Sequence, residues 1–110
     1  MTIYKILLPS EWARFEEQER FDGSPFDLES GFVHCSSREQ VGATATRVFP
    51  DEPLLIVVAL DEQRLDDVRW EPAPDGESFP HVYGDLPLDA VVGVHPVGGA
   101  ALVEETLAAR

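Results

Sequence analysis

Apolar positions fall along the chain in bursts whose period changes from segment to segment. Residues 3–8 (IYKILL) form a short apolar run that predicts a strand. Pro9 and Ser10 open a helix running to about Arg20, with Ser10 as its N-cap. Glu11 sits in its first turn, where the helix dipole favours an acid, and Trp12 and Phe15 supply an apolar face. FDGSPFD is turn chemistry, so residues 22–31 (DGSPFDLESG) read as a surface loop. FVHCS then alternates, with Phe32, His34 and Ser36 on one face and Val33 and Cys35 on the other. Two overlapping capping boxes, Ser36 with Glu39 and Ser37 with Gln40, predict a helix over 37–49. Its inner stripe is Val41, Ala45, Val48 and Phe49, and Pro50 stops it.

LLIVVAL (54–60) is a continuous apolar run bounded by Pro53 and Asp61, which predicts a strand buried on both faces. DEQRLDD reads as a short helical turn, VRWE (68–71) as a strand and PAPDGES as a loop. FPHVYGDLP is partly extended, with turns at Gly84 and Pro87. DAVVGVHPV (89–97) is a second strongly apolar strand, also expected to be buried on both faces. GGAALVEETLAAR closes as an amphipathic helix bearing Leu102, Val103 and Leu107. Helices and strands mix without a regular βαβ alternation. The class is α+β: a single small domain, residues 1–110, with a twisted mixed sheet flanked by helices.

Composition narrows the function classes. The chain has 21 acids against 8 Lys and Arg, a net charge of −13. Nucleic-acid binding relies on clustered Lys and Arg that neutralise phosphates, so no nucleic-acid partner is expected. No stretch approaches the roughly 18 apolar residues of a membrane span, and MTIYKILLPSEW lacks the pattern of a signal peptide. Cys35 is the single cysteine and cannot form an internal disulfide, which fits a reducing cytoplasm. A monomer or weak dimer is expected.

Few residues carry candidate chemistry. His34 ends a strand beside a predicted helix N-terminus, where free N–H groups attract anions, and Ser36 on the same face adds a hydroxyl. Ser37 and Arg47 in the following helix are further candidate ligand contacts. His81 lies in a Pro-, Tyr- and Gly-rich loop of the kind on which functional residues gather, with Tyr83 two residues on. His34 and His81 are the candidate catalytic pair. His95, inside an apolar strand, reads as a structural histidine. Cys35 points away from His34 and the chain has no CxxC, HxxxH or HxH, so no metal site is expected. Glu71 follows Trp70, and an aromatic beside an acid at a strand end can raise its pKa, although the first reading of Glu71 is a solvated loop acid. There is no G-x-G-x-x-G, Walker A or G-x-S-x-G.

Taken in order, YKILLPSEW, DGSPFDLESGFVHCSSREQVGATATRVF, LLIVVALD and VRWEPAPDGESFPHVYGDLPLDAVVGVHPV closely resemble the small bacterial proteins of domain-of-unknown-function family 952, from about Tyr4 to Val97. The resemblance implies an ADP-ribosyltransferase-like fold, distantly similar to the RNA 2′-phosphotransferases. Those enzymes carry a first strand reading tyrosine, histidine, glycine, threonine and a later strand reading histidine, valine, histidine, leucine, serine. Here FVHCS matches the second at His34 and Ser36, with Phe32 for the first histidine. In the first strand Lys5 stands where the NAD-binding histidine would be, and Ile6 replaces the glycine. Lys5 retains the charge to attract a phosphate, whereas Ile6 puts a side chain where bare backbone is needed. The resemblance therefore implies a pocket for a nucleotide-like small molecule, with NAD a possible cofactor. A divergent NAD-dependent transferase and a non-catalytic protein-interaction domain are the alternatives.

Overall fold

In a computed structural model the described residues are 1–109. Strand β1 (Thr2–Leu7) leads into α1 (Pro9–Gln18), then β2 (Arg20–Phe21), α2 (Pro25–Ser30), β3 (Val33–His34) and α3 (Val41–Val48). Next come β4 (Leu55–Asp61), β5 (Val68–Pro72), β6 (Ser78–Val82), β7 (Leu86–Pro87), β8 (Val91–Val97) and α4 (Val103–Ala108). The strands form three small sheets, ordered β1-β4-β8, β2-β7 and β3-β6-β5. The sequence predicts one mixed sheet, but every strand pairing among the described residues is antiparallel. β2, β3 and β7 are only two residues long. A single bridge, Tyr4 to Ser36, ties β1 to the segment after β3.

β4 is the central strand, paired on both sides, and Leu55 to Leu60 are all buried. Its alternating side chains serve two cores. Ile56, Val58 and Leu60 join Ile3, Leu7, Phe15, Phe21, Val33 and Leu86 on one face. Leu55 and Val57 join Ile6, Val41, Ala45, Val103 and Leu107 on the other. A strand buried on both faces has no place for polar side chains, and its sequence is a continuous apolar run.

β8 departs from expectation. It is the edge of its sheet and alternates, with Val92 57% and Val94 40% exposed while Val97 is buried. An apolar run alone does not distinguish a central strand from an edge strand. His95 lies buried on β8 opposite Val57.

The helix starts also shift. Leu8, not Ser10, is the N-cap of α1, because Pro9 takes the first helical position. Glu11 accepts a hydrogen bond from the Leu8 amide at 2.9 Å. The Ser37–Gln40 box forms, with Ser37 N donating to Gln40 Oε1 at 3.0 Å and Gln40 N donating to Ser37 Oγ at 3.2 Å. It closes a turn that leads directly into α3, which begins at Val41 rather than 37. Ser36 does not cap; its hydroxyl donates to Thr44 Oγ1 at 3.3 Å.

Candidate functional site

Residues 22–31, expected to be a surface loop, contain α2, and its sequence explains why. Ser24 is the N-cap, Pro25 fills the first turn, and Asp27 closes a capping box by accepting from the Ser24 amide at 2.9 Å. Gly31 ends the helix at φ 89°, in the left-handed region. Capping fixes where Asp27 points, and it points inward: the residue is 2% exposed.

Asp27 is the hub of the site. Its Oδ2 accepts from Lys5 Nζ at 2.9 Å. Its Oδ1 accepts from the His34 amide at 3.1 Å and pairs with His34 Nδ1 at 2.7 Å. Burial alone would raise the carboxyl pKa, but His34, Lys5 and the Ser24 amide together hold it well below the usual carboxylate range. Ionised Asp27 can only accept, so Nδ1 carries a proton and Nε2 is left to face other partners. Lys5 is also buried and donates to the His34 carbonyl at 2.9 Å. Its ammonium is committed to Asp27 and His34 and is not a free cation waiting for a phosphate.

His81 repeats the arrangement from another strand. β3 and β6 are antiparallel with His34 directly opposite His81. His81 Nδ1 lies 2.7 Å from Glu71 Oε1, and the Tyr83 hydroxyl donates to the same oxygen at 2.7 Å. These bonds, Tyr83 first, lower the Glu71 pKa. The upward shift expected from Trp70 does not occur, because the Trp70 indole donates to Glu62 at 3.0 Å and Glu71 faces the two donors instead. Arg69 stacks 4.2 Å from the Tyr83 ring centroid and is paired with Asp67.

Aromatic rings pack the two histidines together. Phe26 stacks on His34 with centroids 4.5 Å apart. Phe32 lies 4.1 Å from His81 and 4.5 Å from His34. The imidazoles themselves are 5.5 Å apart, edge to face. Both line one cavity of about 730 Å³, together with Lys5, Ser36 and Arg47 from the sequence-predicted set. Ser37 and Tyr83 are not in its wall: Ser37 holds the turn before α3, and Tyr83 stands behind Glu71. The wall also holds Asp27, Phe26, Phe32, Thr44 and Phe79, which sequence reasoning did not select. The Ser24–Pro25–x–Asp27 box was the available signal for the first two.

Arg47 is exposed, and no hydrogen bond or ion pair engages its guanidinium among the described residues. Cys35 is buried, and burial pushes its thiol up to about 12. No group of three or more His, Cys, Asp or Glu among the described residues could hold a metal ion. No helix among them is long and apolar enough to cross a membrane.

The family model for the protein of unknown function DUF952 matches residues 6–94. The chain belongs to this family. The crystal structure of protein CC0527 from Caulobacter crescentus is similar, with 34% identity and a TM-score of 0.88 over 97% of this chain and 99% of that one. The solution structure of CC0527 gives a TM-score of 0.80 at 34% identity, covering 94% of this chain and 95% of that chain. Similarity over nearly the whole length of both chains makes the α+β domain a family architecture. No curated protein matches the chain.

Proposed function

We propose that this DUF952 protein binds a nucleotide or ADP-ribose-like small molecule in the His34–His81 cavity, as a cytoplasmic domain with an ADP-ribosyltransferase-like pocket. The observation that carries the reading is the cavity itself. Its volume of about 730 Å³ lies within the range of small-molecule sites, and its wall has the usual composition of such sites, mostly apolar and aromatic with few polar groups. Phe26, Phe32 and Phe79 offer faces to a planar base. Arg47 offers an uncommitted guanidinium to a phosphate. His34 offers a ring nitrogen to a ribose.

A binder is favoured over an NAD-cleaving transferase by the first strand. Lys5 is neutralised by Asp27, and Ile6 packs in a core where a backbone approach would be required. The test is isothermal titration with ADP-ribose, AMP and adenosine. ADP-ribose and AMP should bind, and Arg47→Ala should weaken both about tenfold or more, the loss of one charge-assisted contact. Adenosine, which has no phosphate, should be unaffected by that change. Absence of binding by all three ligands at millimolar concentration refutes the reading.

A further inference from the structure

His34 and His81 share more than a cavity. Each has Nδ1 bonded at 2.7 Å to a carboxylate, Asp27 for one and Glu71 for the other. Both carboxyl groups are held ionised, so they accept from Nδ1–H, which leaves Nε2 as the nitrogen of each ring that can exchange a proton. This is the arrangement by which a carboxylate fixes the tautomer and orientation of a proton-transferring histidine. With ring centroids 5.5 Å apart, two such rings can serve two oxygens on one reacting centre.

The two side chains that flank the pair in sequence are poor nucleophiles: the Cys35 thiol is buried with its pKa pushed up to about 12, and the buried Ser36 hydroxyl is donated to Thr44. Water is the simplest nucleophile for the pair to activate. Lys5 and Arg69 are already paired, with Asp27 and Asp67, which leaves Arg47 as the uncommitted cation of the cavity wall. One guanidinium suits a ligand with few negative charges. A chain carrying −13 would repel a polyanion far more than a small nucleotide.

Building on the nucleotide-binding reading, we propose that His34 and His81 form an acid–base pair that hydrolyses a cyclic nucleoside phosphodiester. Water supplies the nucleophile. One imidazole takes a proton from it at Nε2 as the new O–P bond forms. The P–O bond to the ribose breaks in line, and the other ring, entering as imidazolium, gives its Nε2 proton to the departing ribose oxygen. The product is a phosphomonoester, one water has been consumed, and no electrons are transferred to or from the protein. Exchange with solvent restores the protonation of the pair. Asp27 and Glu71 are positioning residues, Asp27 sharing its charge with Lys5 and Glu71 accepting also from Tyr83.

Purified protein incubated with 2′,3′-cyclic AMP, followed by phosphorus NMR, should release a phosphomonoester with a bell-shaped pH profile. His81→Asn keeps an amide for Glu71 but has no ring nitrogen to move a proton, and should lower turnover at least about a hundredfold. Glu71→Gln should lower kcat with little change in KM, and should shift the pH profile. Titration with 3′-AMP, checked alongside near-ultraviolet circular dichroism of each variant, separates the two levels of the argument. Binding of 3′-AMP without hydrolysis of the cyclic substrate, or hydrolysis undiminished in folded His81→Asn, overturns the acid–base pair and leaves the binding reading standing. Failure of both nucleotides to bind overturns the acid–base pair, and the titrations with ADP-ribose, AMP and adenosine then decide the binding reading by themselves.

Discussion

Replacing Asp27 by Ala tests how the site is built into the fold. The carboxylate is 2% exposed and receives Lys5 Nζ, the His34 amide, His34 Nδ1 and the Ser24 amide. Truncation leaves the Lys5 ammonium, itself 6% exposed, in the interior with one carbonyl acceptor, His34 O. Breaking a buried ion pair from one side costs about 3–5 kcal/mol, mostly the penalty of the stranded charge. For a domain of this size that corresponds to a fall in Tm on the order of 12–25 °C. Urea titration followed by circular dichroism measures it. If the variant is too unstable to titrate, adding Lys5→Met removes the stranded charge and should restore most of the loss, because apolar replacement of a whole buried pair is close to neutral. A cost below about 1 kcal/mol, or no recovery on adding Lys5→Met, would refute the assignment of Asp27 as the hub. The pH dependence follows from the same contacts. The folded-state pKa of Asp27 is depressed, so its stabilisation is fully present above the unfolded value of about 4. As pH falls below that value, the unfolded chain binds the proton first, and stability should drop progressively toward the lower folded pKa.

Cys35 is buried and its thiol is pushed up to about 12, and the thiolate is the reactive form. Ellman's reagent should therefore label it only in denaturant, and rapid labelling of native protein at neutral pH would contradict its placement in the core. Gly31 has φ 89°, and a Cβ there would meet nothing within 4 Å. Gly31→Ala should cost about 1 kcal/mol by backbone strain alone, and an unchanged urea midpoint would show that the turn ending α2 does not require the left-handed conformation.

The parts of the fold legible in the sequence are those with a strong period or a hard boundary. LLIVVAL is a run of apolar residues between Pro53 and Asp61, and it forms the paired central strand. β8 is also rich in valine, but Gly93, His95 and Pro96 interrupt its run, and a proline within a strand marks an edge. The helix boundaries moved because the local signals compete. Pro9 outranks Ser10 for the start of α1, and the Ser37–Gln40 box closes a turn that precedes the first regular residue of α3.

The candidate site divides along the same line. His34 and His81 stand out as rare residues at the ends of extended segments, and pairing of β3 with β6 puts them opposite one another. Asp27 was hidden by abundance. In a chain with 21 acids, one carboxylate carries no signal until its cap fixes its direction. The helix that aims Asp27 is six residues long, below the length at which periodicity shows, and it is flanked by glycines at φ 124° and 89°, which read locally as turns. Lys5 carries the complementary lesson. Placed in a first strand it looks like a cation for a ligand's phosphate, yet a buried ammonium must be neutralised within the protein before any ligand arrives. The same buried carboxylate that neutralises it also orients His34. The cation is consumed by the fold while the imidazole it helps to hold lines the cavity.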